Sequence, residues 1–272
     1  MNYQEMINFV KTVAIEAGEK ILEVYHSPDF EVELKSDHSP VTKADKLAND
    51  YIVTQLQQKY PEIGVLAEES RADNSRLEKP LVWIIDPLDG TKEFIKRNGE
   101  FTVNIGLAEN GEPRLGVVYV PAKSDLYFAA PGMGAFYQSA NNNAVQIQCS
   151  SINNIEQMIL MKSRSHASPK LQKLLAEYPF AATKDSGSSI KICLIASGEA
   201  EVYFRFGPTN EWDICAAHCI LNEAGGRLTD CFGETVRYNR PDPLNRNGFL
   251  ATNNAIHSEL VELSKRYMVM ED

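Results

Sequence analysis

Leu81-Val82-Trp83-Ile84-Ile85-Asp86-Pro87-Leu88-Asp89-Gly90-Thr91 is an apolar strand that ends in two carboxylates three positions apart and then a Gly-Thr corner. The strand carries the acids on a rigid element. Pro87 fixes φ and is expected to end the extended pairing, so that Asp86 and Asp89 turn toward one point and the Leu88 carbonyl between them is free as a third oxygen ligand. Gly90 permits close backbone approach, and Thr91 stands where a helix can begin, its amide and hydroxyl facing an anion. Hard divalent cations such as Mg²⁺ take oxygen ligands and are held jointly by carboxylates and substrate phosphate, so the stretch reads as a metal and phosphate site. Asp-Gly is also a common turn dipeptide, and taken singly the motif has that plainer meaning.

Two further acidic segments favour the site. Glu68-Glu69 follows the extended stretch Ile63–Ala67, and Glu211-Trp212-Asp213 precedes an apolar helix expected over Ile214–Ala224. If Glu68, Asp86, Asp89, Asp213 and the Leu88 carbonyl converge, they supply oxygens for roughly two or three Mg²⁺ ions, with water and phosphate completing the shells. Any one acid could instead cap a helix or solvate a loop. Glu69 is the weaker member of its pair.

Asp-Pro-Leu-Asp-Gly-Thr (86–91) with the downstream Glu-Trp-Asp-Ile-Cys-Ala-Ala (211–217) resembles the paired signature of the Mg²⁺-dependent, lithium-sensitive phosphatases related to inositol monophosphatase. The resemblance runs from about Thr42 to Asp230. It implies a layered α-β-α-β-α sandwich with the active site between two halves. It matches Glu68, Asp86, Leu88, Asp89 and Asp213 to metal ligands, and it places Thr91 and Asp45 in a relay that activates the attacking water, with Glu68 contributing through its ion.

Ser163-Arg164-Ser165-His166 and Asp185-Ser186-Gly187-Ser188-Ser189-Ile190-Lys191 combine cations with a Gly-Ser helix start, an arrangement suited to a second phosphate on the same ligand. These segments resemble the 3'(2'),5'-bisphosphate nucleotidase branch, in which Ser163, His166, Gly187 and Lys191 match positions that contact the nucleotide. Gly90, Thr91 and Asp213 complete the expected substrate wall, and Glu211 either meets a sugar hydroxyl or solvates its loop. The implied reaction removes the 3'-phosphate of adenosine 3',5'-bisphosphate. The alternatives are an inositol or fructose phosphatase of the same architecture, or a non-catalytic divalent-metal-binding protein. No Gly-x-x-x-x-Gly-Lys-Ser/Thr loop is present, and the Asp-x-x-Asp spacing does not suggest a covalent phosphoenzyme.

The chain has 272 residues, 43% of them hydrophobic, which suffices for one large unit or two closely packed halves. A formal charge of −10 argues against nucleic acid as the partner and leaves a small phosphorylated molecule, with metal ions supplying local positive charge. Five scattered cysteines and no apolar segment before Tyr3 suggest a reducing cytoplasm. Any membrane association would be peripheral, at the inner face, and a monomer or homodimer is expected. Cys215, His218 and Cys219 share a helix face, but their apolar surroundings favour buried thiols over zinc.

Periodicity predicts helices from Met6 to Tyr25 and from Thr42, as N-cap, to Leu56. Strands are expected at 81–85, 101–108, 114–120 and 126–130, in an antiparallel sheet with the stretch at 63–67. An α/β half should follow, with strands at 158–163, 201–205 and 227–229 and helices at 169–177, 188–197, 214–224 and 256–267. The polar run at 140–143 marks the expected boundary between an N-terminal α+β half, 1–140, bearing the metal motifs, and a C-terminal α/β half, 141–272, bearing the substrate wall.

Overall fold

A computed structural model describes residues 2–28, 32–34, 40–70, 73–140, 142–165 and 168–270. The chain opens with α1 (Tyr3–Tyr25), the short antiparallel pair β1 (Glu33–Leu34) and β2 (Pro40–Val41), and α2 (Lys43–Lys59). A seven-stranded sheet follows: β3 (Gly64–Ala67), β4 (Leu81–Asp89), β5 (Thr102–Glu109), β6 (Glu112–Val120), β7 (Asp125–Ala130), β8 (Gly134–Ser139) and β9 (Val145–Ile147), in that spatial order, with α3 (Thr91–Ile95) between β4 and β5. Then come β10 (Ile159–Ser163), α4 (Pro169–Glu177), β11 (Ala182–Ser186), α5 (Ile190–Ala196), β12 (Val202–Arg205), β13 (Thr209–Asn210), α6 (Glu211–Glu223), β14 (Arg227–Thr229), β15 (Leu244–Asn245), β16 (Phe249–Thr252) and α7 (His257–Met268). The second sheet runs β11-β10-β12-β16-β14.

The alternation within β4 explains the layers. Trp83 and Ile85 pack on α1 and α2 on one face, while Val82 and Ile84 belong to the core shared with α5 and α6 on the other. A strand buried on both faces reads as an unbroken apolar run. A third core lies beyond the second sheet, where Leu171 and Leu174 of α4 and Leu260 and Leu263 of α7 meet Leu160, Val202 and Leu250. The result is the α-β-α-β-α sandwich. α6 is its middle layer and is apolar around most of its circumference, with Ile214, Cys215, Ala216, Ala217, Cys219, Ile220 and Leu221 all buried. A side chain at Gly116 would stand 2.1 Å from the Ala216 carbonyl oxygen, so the glycine is what lets α6 lie hard against β6.

Several expectations need correction. β4 does not end at Pro87: it stays paired with β5 to Asp89, and a register shift between Asp86 and Asp89 accommodates the proline. β3 and β4 run parallel, whereas the other pairs of that sheet among the described residues are antiparallel. The boundary at 140–143 falls inside the β8–β9 connection, so the first sheet crosses it, and α6 from the second half packs on β4, β5, β6 and β7. The halves share a core. The edge strand β11, with four exposed residues, has the composition of a loop and escaped the periodicity. The extended piece expected at 30–34 and the lead-in at Ser39 lie largely outside the described residues, as does the tail beyond residue 270.

Candidate active site

At the end of β4 the Asp86 carboxylate is 1% exposed, and its Oδ1 accepts the Leu88 amide at 3.0 Å, closing a tight turn around Pro87. Asn104 on β5 stands opposite Asp86 and Thr102 opposite Asp89, while Pro87 and Leu88 fall outside the paired register. Gly90, at φ +93°, then turns the chain into α3, which Thr91 begins.

Asp45 and Asp213 are placed by one device used twice. Each is the third residue of its helix and completes a capping box, with Thr42 for α2 and Asn210 for α6. Asp45 Oδ2 accepts the Thr42 amide at 2.7 Å and the Thr42 hydroxyl at 2.6 Å, and its Oδ1 accepts the Thr91 hydroxyl at 3.3 Å. Asp213 Oδ2 accepts the Asn210 amide at 2.8 Å. The cap fixes each carboxylate's direction; the other oxygen of Asp45 meets Thr91, which lines the cleft, and Asp213 lines the cleft itself, so capping and a site role are compatible. Glu68 follows β3, its amide donating to the Ile85 carbonyl at 3.1 Å, which brings it beside the end of β4.

These acids share one electric field. Burial raises the Asp86 carboxyl well above its usual range, and the charges of Glu68, Asp89, Asp213 and Asp45 push it further. Burial, followed by Asp89 and Glu68, raises Asp213 to about 8. Asp89 is also raised by burial, against the pull of Lys191. Among the described residues no three acidic, His or Cys side chains stand in a ready-made coordination cage. The donor set, all hard oxygen with a strand-end carbonyl beside it, suits a divalent cation of the Mg²⁺ kind and offers nothing to a soft metal.

A stability prediction follows from these shifts. Carboxyls raised on folding hold more protons in the folded chain than in the unfolded chain between about pH 4 and 8, so stability falls as pH rises through that window. Chelator-treated protein should therefore melt at lower temperature at pH 8.5 than at pH 6, and added Mg²⁺ should reverse most of that loss. Differential scanning calorimetry at the two pH values tests it.

A cleft of about 440 Å³ is lined by Glu68, Asp89, Gly90, Thr91 and Asp213 together with Ser163, Gly187, Lys191, Tyr203 and Arg205. Lys191 is 5% exposed, and its ammonium donates to the Ser188 carbonyl at 2.5 Å and the Ser186 carbonyl at 3.4 Å, above the Tyr203 ring. Burial lowers it to about 8, against the raising effect of Asp89. The Gly187 amide donates to Glu100 at 2.8 Å. His166 lies outside the described residues.

Two residues expected at this wall are engaged elsewhere. Arg164 grips Glu100 at 2.6 and 2.8 Å and the Asp185 carbonyl at 3.0 Å. Glu211 is fully buried and accepts the amides of Asn239 at 2.6 Å and Arg240 at 3.0 Å, with the Arg240 guanidinium at 3.1 Å. Its carboxylate anchors the 239–240 turn, and Glu211 is not among the residues that line the cleft. Removing it by Glu211→Ala should cost about 3 kcal/mol in urea unfolding, the low end for a broken buried pair because Arg240 is 36% exposed. Sequence reasoning missed Tyr203, Arg205, Asn104 and Ser189. Arg205 ends a strand close to Gly-Pro, a weak signal; Ser189 stands in the Gly-Ser helix start before Lys191 but without a role of its own; Tyr203 and Asn104 carry none in a single sequence. His218, on the rear of α6, bonds the Tyr238 hydroxyl at 2.8 Å, and burial lowers it to about 4; all five cysteines are free thiols.

Layering, strand-end acids and a cationic far wall together define a metal-dependent phosphatase architecture, and the chain belongs to the inositol monophosphatase family, whose model matches residues 2–268. Within that family it is 40% identical over 249 residues to the 3'(2'),5'-bisphosphate nucleotidase CysQ of Salmonella typhimurium, covering 91% of this chain and 99% of that one. The crystal structure of CysQ from Bacteroides thetaiotaomicron superposes with a TM-score of 0.81 at 39% identity, over 92% and 98% of the two chains. The inositol monophosphatase of Thermotoga maritima gives 0.80 at 26% identity, over 97% and 98%. Among the described residues no helix is long and apolar enough to cross a membrane.

Proposed function

We propose that this chain hydrolyses the 3'-phosphate of adenosine 3',5'-bisphosphate, giving AMP and inorganic phosphate, with Mg²⁺ held by Glu68, Asp86, Asp89, Asp213 and the Leu88 carbonyl. The observation that carries this reading is the cleft's lining, which combines the carboxylates with the buried cation Lys191, Arg205 and the Tyr203 ring. A substrate with two phosphates and an aromatic base suits such a cleft better than a single-phosphate polyol. The identity to the CysQ enzymes, over nearly their whole length, supports the same substrate class.

When bound, the cations supply a nucleophilic water and neutralise charge on the transferring phosphoryl group. The chain's residues do the rest. Thr91 accepts a proton from the attacking water and passes its own to Asp45, whose second oxygen is locked by Thr42 and so cannot swing away. The water oxygen bonds to phosphorus as the bond to the ribose 3'-oxygen breaks, and that oxygen takes a proton from solvent to leave as a hydroxyl. Lys191 and Arg205 hold the phosphate that does not react, fixing which ester lies over the acids.

Phosphate release from adenosine 3',5'-bisphosphate, inositol 1-phosphate and fructose 1,6-bisphosphate, each with and without Mg²⁺, tests the reading. The adenosine bisphosphate should have the highest kcat/KM, and turnover should vanish without the cation. A preference for either other ester overturns the substrate; metal-independent turnover overturns the mechanism; and no turnover on any ester supports a binding protein instead.

A further inference from the structure

We propose that Asn104 and Ser189 are positioning residues, a buried two-residue bridge that sets the direction of the Asp89 carboxylate and ties it to the backbone of Asp213. The inference rests on the metal-holding reading of the acids and adds to it residues that are themselves no ligands.

Asn104, the third residue of β5, is 1% exposed; its neighbours Val103 and Ile105 face the α1–α2 core, and the alternation of the strand turns Asn104 to the opposite face, toward α5, where a buried amide needs partners. Its Nδ2 donates to Ser189 Oγ at 2.9 Å and reaches Asp89 Oδ2 at 3.5 Å, while its Oδ1 is buried with no partner among the described residues. A carboxylate only accepts, so the amide must present nitrogen to Asp89 and leave its oxygen unserved. That unsatisfied acceptor is a cost to folding, and what it sustains is the nitrogen's aim at Ser189 and Asp89.

Ser189, 3% exposed, stands at the start of α5, and its hydroxyl is within bonding distance of Asp89 Oδ2 at 2.9 Å and the Asp213 carbonyl at 2.8 Å. The hydroxyl oxygen accepts from Asn104, and its single proton is shared between Asp89 Oδ2 and the Asp213 carbonyl, so the group stands where β4, β5, α5 and α6 meet. Because Oδ2 of Asp89 is engaged from this side, Oδ1 is the oxygen left for a cation. Ser189 also lies two residues before Lys191, so the segment forming the far wall is fastened to the acid end through the same bond. Outer partners of ligating carboxylates fix ligand orientation in this way, and losing one weakens metal binding by about 10–100-fold.

Thr102 provides the control. Its hydroxyl donates to Ser188 at 3.2 Å, tying the same segment to the same strand; Thr102 faces Asp89 across the ladder through its backbone, and its side chain makes its bond to Ser188 and not to the Asp89 carboxylate. Mg²⁺ binding measured by titration calorimetry on the full chain without substrate should weaken about tenfold in Ser189→Ala and in Asn104→Ala. The double variant should be little worse than either, and Thr102→Val should bind as the parent does. Circular dichroism melts separate folding from positioning: a variant that melts normally yet binds weakly supports the bridge. Parent-like affinity in both single variants overturns it, as does equal weakening in Thr102→Val, which would make the effect a general loosening of the wall. If the parent chain itself takes up no Mg²⁺, the metal reading fails before the bridge is reached.

Discussion

Replacing Asp89 by Asn should lower kcat by about 10³-fold, the rate equivalent of several kcal/mol of lost cation-assisted charge stabilisation, while leaving the fold intact. The site makes the second half of that expectation specific. Asp89 is one of several carboxyls that burial and mutual repulsion raise, so a neutral amide removes a charge the folded chain holds at a cost. The metal-free Asn variant should therefore melt no lower than the parent, despite its loss of activity. Steady-state kinetics beside calorimetric melts give both numbers. Normal turnover in the variant would remove Asp89 from the metal site; a collapsed melt would make it a structural residue.

Lys191→Ala should reduce kcat/KM for adenosine 3',5'-bisphosphate by about 10–100-fold, chiefly through KM, and reduce it far less for 3'-AMP, which lacks the second phosphate. The estimate corresponds to about 1.5–3 kcal/mol for a hydrogen bond to a charged group. Because the ammonium also serves the Ser186 and Ser188 carbonyls, some loss on both esters is expected from slackening of that loop. The difference between the esters is the diagnostic quantity. Burial brings the lysine to about 8, so the parent's KM for the bisphosphate should climb above that pH as the cation is lost, with a flatter profile for 3'-AMP. Equal losses and parallel profiles on the two esters would take Lys191 off the second phosphate.

Short-range signals were enough for the acid motifs because those residues sit where local chemistry is conspicuous. The apolar run 81–85 ends in Asp-Pro-Leu-Asp, and Thr42 precedes a helix with an acid three residues on. The same logic failed at Glu211: an acid next to Asp213 reads as part of the cleft, but it is the first residue of α6, and the turn at 239–240 folds back over it. Arg164 misled in the same way, since its partner Glu100 is 64 residues distant in sequence. Asn104 had no readable role, because a polar residue inside an apolar strand signals nothing until its neighbour across 85 residues is known.

Local sequence by itself therefore determined most of the elements, the presence of two sheet-forming regions and the placing of acids at element ends, because capping, periodicity and strand-end turns depend on residues a few positions apart. Only the tertiary structure decided which charges face the cleft and which are consumed elsewhere. Hydrogen-bond and ion-pair partners are allotted by three-dimensional proximity, and here α6, lying hard against β6 at Gly116, sets that proximity by bringing Asp213 to the end of β4.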